Sequence, residues 1–493
     1  MPNPLFFRPS GPVLTLPLVW AVLLGLLAVR LVAITVSPLG PGVDEAQYWL
    51  WGQTPQLGYY SKPPLIAWIL ALTDRIFADQ IIGLRVAAPV VHLLSGLILW
   101  QTGAVVFAEQ AGRLAAVLWA SLPAVGLGSF VMSTDTPMLL FWSAGLFCFT
   151  HALQASRYVY RWIICCGICI GLAALAKYAG LYFLLGVLAV LGTDRSRRGR
   201  QRVMLVLVFC MAVLVTSLPT WVWNISNGFV TILHLGENAN LQDSQASFSG
   251  AAAFWAAQLC VAGPVVLVML VFTTARAGHG EPGRWLHLFV WPVLVIMTVQ
   301  AVLKEANANW AVAAYPAAIL LVSQMIVASR QRLMRRAGQL AVLLNLVICS
   351  GFIAASASGS LGPFAPASDP FRHLKGWPAL AEQTLSAART TGARTIIAYD
   401  RESAALLHWH LQGHLQGEGL AIVLPRLGPG AGNHYHRRYP LSPRSARPLL
   451  ALTDTDSAPT HLPVEADWRS GGARSEVKIS RRDSRRVWFW VAD

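Results

Sequence analysis

The chain has 493 residues, 55% of them hydrophobic and 12% charged, with a mean hydropathy of +0.52. Soluble globular proteins carry about 25% charged residues, so the composition excludes an ordinary soluble enzyme and points to a chain solvated mainly by lipid. The net charge of +15 does not mark a nucleic-acid binder, because the basic residues before 357 sit in short loops between apolar runs, where they orient a membrane protein.

A span needs about 20 apolar residues to cross about 30 Å of hydrocarbon. The sequence predicts eleven, near 14–37, 81–107, 114–130, 137–155, 161–176, 178–193, 203–220, 251–275, 286–303, 311–329 and 338–356. The first carries no small-residue cleavage signature and reads as an uncleaved span. The fifth and sixth form one run interrupted at Lys177, so whether residues 161–193 make two spans stays open. With the N-terminus inside, the inside loops carry fifteen Lys and Arg and the outside loops four, a bias that sets orientation. Eleven spans then place the tail outside. Of eleven acids before residue 357, eight fall on the outer side. Acids contribute little to insertion, so a working outer face is expected. All seven cysteines lie in apolar segments. That excludes a disulfide framework in the tail, and the Cys165, Cys166 and Cys169 cluster reads as small core hydrophobes.

The first outer loop, 38–80, holds the densest polar cluster, Pro41–Pro64 (PGVDEAQYWLWGQTPQLGYYSKPP). Residues 44–53 and 63–77 suit helices lying in the interface, anchored by Trp49, Trp51 and Trp68. Asp44 and Glu45 open the first of these, where the positive helix end favours acids. Capping accounts for one acid but not for the pair together with Tyr59, Tyr60 and Lys62. Pro63 and Pro64 hold the backbone extended after Lys62, which presents its ammonium as a phosphate ligand; a snorkelling lysine is the plainer alternative. Asp135, in Ser133–Pro137 (STDTP), stands between two spans. It can cap the following helix, and an ionisable group at that depth is also a functional candidate. Lys177 and Tyr178 interrupt an apolar run, as a binding pair or as a hairpin tip. The outer loop 221–249 gathers Asn224, Asn227, His234, Glu237, Asn238 and Asn240, and Lys304–Trp310 (KEANANW) adds Asn307 and Asn309. These suit sugar hydroxyls, or equally helix caps. His234 stands as a candidate metal ligand on weak grounds, so the cofactor expected is none for certain, with a divalent cation as the candidate.

From residue 357 the sequence turns polar and holds 17 of the 38 Lys and Arg. Short β-like runs at Arg394–Ala398 and Leu420–Leu424, a helix at Ala379–Thr390 and a final strand (VWFWVA) predict a small α/β domain. Two domains follow, a membrane domain over 1–356 and a soluble domain over 357–493.

Together VDEAQYWLW at Val43–Trp51, GYYSKPPLIAW at Gly58–Trp68, STDTP at Ser133–Pro137 and LAKYAG at Leu175–Gly180 resemble glycosyltransferase family 39, the protein-mannosyltransferase-like enzymes. So do Pro219–Asn224, Asn307–Pro316 (NANWAVAAYP) and, in the tail, DPFRHLKGWPALAE and YDRESAALLHWHL. The resemblance implies the GT-C fold: an all-α polytopic membrane protein of about eleven transmembrane helices plus interfacial helices, with a small C-terminal α/β periplasmic domain. It is strongest towards the bacterial enzymes that move aminoarabinose or galacturonic acid from a polyprenyl phosphate to lipopolysaccharide. It implies Asp44 as the leading catalytic acid, Asp135 as the second and Lys62 as the ligand of the lipid phosphate. The aminoarabinose transferases carry a metal-binding glutamate before that lysine. Here the position is Ser61, which leaves the metal in doubt and tilts the likeness to the galacturonic-acid branch.

The expected function is inverting transfer of a sugar from a polyprenyl-phosphate donor to lipid A or another envelope glycolipid. The expected place is the periplasmic face of a bacterial inner membrane, with membrane lipids as the solvent and no nucleic-acid partner. Asp44 would act as base on an acceptor hydroxyl, and Lys62 would stabilise the departing phosphate. Two rivals stand beside it. A transporter or flippase of lipid-linked sugars would show midplane charges and internal repeats, and no repeat is present. A non-catalytic assembly protein would work through its tail alone.

Overall fold

The computed structural model describes residues 14–78, 80–155, 157–239, 247–276, 282–362, 369–426, 432–459, 462–464, 466–470, 475–478 and 484–493. It divides into two compact units. The first comprises Met1–Thr35, Lys62–Ile66 and Arg85–Ala354; the second Val36–Ser61, Ala67–Leu84 and Ala355–Asp493.

The first unit is helical. Among the described residues, eight helices are long and apolar enough to cross a membrane: Leu16–Val36, Ile81–Val106, Asp135–Gln154, Val159–Ala176, Gly199–Ser226, Arg284–Leu303, Ala308–Ala328 and Arg332–Ser358. Their outward faces carry exposed Val32, Val203, Leu207, Met211, Val215 and Val347, which only a lipid solvent tolerates in such density. Several of the eleven predicted spans depart from simple helices. Residues 114–130 are two short helices, Glu109–Ser121 and Pro123–Gly128, because Pro123 cannot continue the first and instead starts the second. Residues 178–193 begin as a 3-10 turn, Tyr178–Tyr182, before the short helix Phe183–Thr193. Residues 251–275 break into Phe248–Ala262 and Pro264–Ala275, bent by 107°.

That bend has a local cause. Gly263 lies between the halves at φ +84°, and an added Cβ there would stand 1.9 Å from Asn345 Oδ1. Asn345 Nδ2 donates to the Ala262 carbonyl at 3.1 Å, satisfying a backbone group that the break frees in an apolar setting. Arg30 does similar service, donating to the Ala120 carbonyl at 2.6 Å.

The second unit holds a six-stranded sheet in the order β2-β1-β3-β6-β4, with β5 paired to β6. The strands are β1 Thr395–Ile397, β2 Ala421–Val423, β3 Leu449–Thr453, β4 Arg469–Ser470, β5 Ser475–Lys478 and β6 Ser484–Ala492. β1 runs parallel to both β2 and β3, while β6 is antiparallel to β3, β4 and β5. The helix Arg401–Leu415 connects β1 to β2, as a parallel pair requires. Asp400 caps it, accepting from Ser403 N–H at 2.7 Å. Ile397, Val423, Leu441, Leu449 and Ala451 form the core beneath.

Most of the first outer loop, all but Lys62–Ile66, belongs to this unit. Its helix Val43–Gln53 packs on Arg401–Leu415, with Trp49 edge-on to Trp409 at 4.9 Å. Trp51 stacks on Tyr59 at 4.5 Å and meets the edge of His434. Trp49 and Trp51 are therefore buried protein contacts, not the interface anchors expected: aromatic partners within the unit remove them from solvent and lipid alike. Trp68, half-buried, donates its indole N–H to the Gln56 carbonyl at 2.8 Å.

Candidate functional site

In the first unit the chemistry centres on Asp135. It is the first residue of helix Asp135–Gln154 and makes no capping bond. Lys177 Nζ donates to Oδ1 at 2.6 Å and Asn309 Nδ2 to Oδ2 at 2.8 Å. The structure thus corrects the capping role: both carboxylate oxygens face groups that arrive from elsewhere in the chain. Lys177 is delivered because the helix Val159–Ala176 ends at Ala176 and Lys177 takes an extended backbone. Asn309 sits in the 3-10 turn Ala308–Ala314. Gln258 holds that turn, donating to the Ala308 carbonyl at 3.0 Å while accepting from the Tyr315 hydroxyl at 2.7 Å.

Asp135 and Asn309 stand on the wall of a cavity of about 610 Å³. Its polar wall also includes Ser133 and Asn307, and its apolar wall includes Leu127, Val131, Val261 and Phe352. A space with one hydrogen-bonding region and a long hydrocarbon wall fits an amphiphile.

Beside Lys177, the Tyr178 hydroxyl lies 2.8 Å from Thr220 Oγ1 and accepts from Asn224 Nδ2 at 3.1 Å. Asn224 is fully buried and also donates to the Thr220 carbonyl at 2.8 Å. Asn224 Nδ2 thus positions Tyr178, while its Oδ1 is buried without a hydrogen-bond partner. Lys62, half-buried, precedes Pro63 and Pro64 in this unit's short segment Lys62–Ile66.

In the second unit the two acids of the first outer loop separate. Glu45 is 1% exposed, and its Oε2 accepts from Gly42 N–H at 2.9 Å, so it caps the helix start. Asp44 is 63% exposed at its side chain and pairs with the Arg401 guanidinium. Arg401 Nε also donates to Gln47 Oε1 at 2.8 Å. One guanidinium thus holds two residues of the Val43–Gln53 helix, fixing the direction of the exposed carboxylate. Arg401 was missed in the sequence, although YDRESAALLHWHL drew notice as a motif.

Tyr59, expected to meet substrate, is 2% exposed. Its hydroxyl donates to the Trp51 carbonyl at 3.0 Å and accepts from Gln56 N–H at 2.9 Å. Burial pushes that hydroxyl up to about 12. It closes the loop and does not present a ligand. Tyr60 is also buried, at 8%.

His234 lies on helix Val230–Ala239, half-buried. The side chain of Asn238 lies outside the described residues, as does that of Glu237. Among the described residues no group of three or more His, Cys, Asp and Glu could hold a metal. Ser61 stands where a carboxylate would precede Lys62, and no catalytic step is assigned to a metal.

Residues 61–223 match the family model described as dolichyl-phosphate-mannose-protein mannosyltransferase. The lipid A galacturonosyltransferase RgtD of Rhizobium johnstonii is 31% identical over 304 residues, 61% of this chain and 63% of that one. The chain therefore spans somewhat less than two thirds of that curated relative. The crystal structure of ArnT from Cupriavidus metallidurans bound to undecaprenyl phosphate is similar at a TM-score of 0.67. Its identity is 15%, with 97% of this chain and 98% of that chain covered. The apo state of the same protein matches at 0.64, with 14% identity, 96% and 97% covered. The chain is a multi-pass membrane protein with the fold of ArnT, the GT-C fold.

Proposed function

We propose that the chain is an inverting glycosyltransferase that moves a sugar from a polyprenyl-phosphate donor to lipid A or a similar envelope glycolipid. The reaction takes place on the periplasmic face of a bacterial inner membrane, and residues 357–493 form a soluble periplasmic domain. One observation carries the reading: a carboxylate, Asp135, clamped by Lys177 and Asn309 on the wall of a cavity whose other surface is hydrocarbon. A soluble sugar nucleotide has no use for such a wall, whereas a lipid-linked substrate does. The relatives support it, since RgtD is a lipid A galacturonosyltransferase and the ArnT structure holds undecaprenyl phosphate.

Asp44 is the general base. Its carboxylate is exposed, aimed by Arg401, and takes the proton of an acceptor hydroxyl as that oxygen attacks the anomeric carbon. The bond from the anomeric carbon to the phosphate oxygen breaks on the opposite face, so the configuration inverts. Lys62 stabilises the charge that collects on the departing lipid phosphate. Asp135, with both oxygens engaged, orients substrate hydroxyls and does not accept the proton. The sugar arrives activated, and neither a nucleotide nor a metal is required by these steps. A flippase is disfavoured because Asp44 and Asp135, the exposed or cavity-facing acids, mark fixed chemical positions and not a charged path.

The test is single-turnover transfer from purified polyprenyl-phosphate galacturonic acid to lipid A. Asp44→Asn is expected to lower the rate by about 10²–10⁴, the span of general base catalysis. A wild-type rate would remove Asp44 from the mechanism. Lys62→Ala is expected to raise the donor concentration needed for half-maximal rate, and an unchanged response would remove the phosphate role.

A further inference from the structure

The second unit contains a cavity of about 580 Å³ that none of these roles uses. All of its lining residues come from that unit, on helix Val43–Gln53, helix Arg401–Leu415, strand β2, the turn between the last two (Gln416 and Leu420) and Tyr439. Trp49 and Tyr439 provide aromatic surface. Gln53, Gln412 and Gln416 provide amides, and His408 an imidazole. Among the described residues no Lys, Arg, Asp or Glu lines it.

Two of these groups are buried with hydrogen-bonding capacity unfilled: the Trp49 indole N–H and the Gln412 amide oxygen. Trp49 is 3% exposed. A buried donor or acceptor left without a partner costs enough to be rare in native proteins; both atoms lie just beneath the wall, so a ligand that draws the Trp49 and Gln412 side chains towards the cavity gains a donor and an acceptor. His408 adds a second acceptor. Its Nδ1 lies 2.7 Å from the Ala404 carbonyl oxygen, which only accepts, so Nδ1 carries the proton and Nε2 does not. Burial pushes the His408 pKa down to about 4, so the ring is neutral at physiological pH.

An anion would find no cation on this wall, and phosphates and carboxylates are held by charge-assisted bonds. A cation would find no carboxylate. Hydroxyls both donate and accept, and the C–H face of a pyranose packs on aromatic rings as other apolar surface does. We propose that this cavity is a binding subsite for a neutral saccharide, the glycan part of the glycolipid acceptor. The saccharide site stands on the cavity alone; its assignment to the acceptor rests on the transferase reading.

The experiment uses the full chain in lipid nanodiscs and isothermal titration with two probes, a neutral oligosaccharide released from an envelope glycolipid and its phosphorylated counterpart. Gln412→Ala removes the unpartnered acceptor and is expected to weaken neutral binding about tenfold, the scale of one or two neutral hydrogen bonds. Gly413→Leu fills the space directly. Gly413 lines the cavity, no atom lies within 4 Å of where its Cβ would stand, and Leu is the better helix former. This variant is expected to fold and to lose saturable binding. Asp135→Asn, impaired in transfer, is expected to bind the saccharide as the wild type does. Absence of saturable neutral binding to the wild type, or wild-type affinity in both cavity variants, overturns the site. Tighter binding of the phosphorylated probe through the same residues overturns its neutral character. Gly413-sensitive binding in a protein that transfers no sugar supports the site and refutes the transferase reading.

Discussion

Asp135 shows how one side chain is held by two others that are remote in sequence, Lys177 at 42 positions and Asn309 at 174. A carboxylate clamped on both oxygens has little freedom, so its loss should be felt as geometry. Asp135→Asn keeps the shape but removes the charge that holds Lys177. It is expected to lower kcat about 10-fold to 100-fold, with Lys177→Met giving a similar loss and the double variant little further loss, since contacting residues couple. Additive losses in a kcat double-mutant cycle would show that the two act separately. Arg401→Lys tests the other carboxylate. Lysine keeps the charge but not the planar fork that meets Asp44 and Gln47 together, so kcat is expected to fall several-fold while the donor response holds; a pure loss of donor affinity in steady-state kinetics would contradict the aiming role. At this scale Asp44, Asp135 and Lys177 were legible because ionisable residues stand out at apolar boundaries. Arg401 was not legible. Its partner lies 357 positions away, and a surface-looking arginine in a polar tail carries no local mark. Tyr59 misled for the converse reason: a tyrosine beside a lysine reads as a ligand until its hydroxyl is seen closing a loop.

Helices and strands divide along the same line between local and tertiary causes. The long apolar runs announced themselves as spans, and Arg394–Ala398, Leu420–Leu424 and the final aromatic run correspond to β1, β2 and β6. β3, Leu449–Thr453, was passed over. Four of its five residues are buried, and a continuous apolar stretch of that length has no period by which to tell strand from helix. The break at residue 263 was equally silent, since Gly and Pro occur inside transmembrane helices without ending them. Its geometry makes it sensitive. Gly263→Ala sets a methyl against Asn345 Oδ1 at a φ that side chains rarely adopt. It is expected to lower the detergent-solubilised melting temperature by several degrees, whereas Gly351→Ala, where an added Cβ meets nothing, should match the wild type. Equal melting of both variants would show that the bend yields freely.

Across the molecule, two properties of the chain as a whole are open to measurement. Three histidines of the second unit are held neutral by burial: His408 and His410 at about 4, and His434 at about 3. Nearby His408, Arg438 and Arg401 depress His434 further. Free imidazole titrates near 6.5. Between about 6.5 and 4 the unfolded chain therefore takes up protons that the folded unit refuses, so stability is full above that window and falls as pH drops through it. Thermal unfolding at pH 5 is expected at least about 5 °C below that at pH 7.5, the shift that one kcal/mol gives a small domain; a flat profile would mean these rings admit protons in place. Orientation is tested by Asp454→Cys, an exposed position in a domain that has no native cysteine. A membrane-impermeant maleimide is expected to label it from the periplasmic side of intact spheroplasts.

On the proposed mechanism, the pairing of Asp44 with Arg401 makes competence wait until residue 401 has been translated. Every span among the described residues is already made when ribosomes reach residue 358, yet Arg401 has not been translated. On that reading, a chain that stops before residue 401 has the residues of the Asp135 cavity but lacks the arginine that directs Asp44. Such a chain should occupy substrate without consuming it, so a nonsense product ending before residue 401 is expected to act as a competitor of the full-length protein and not merely as a null.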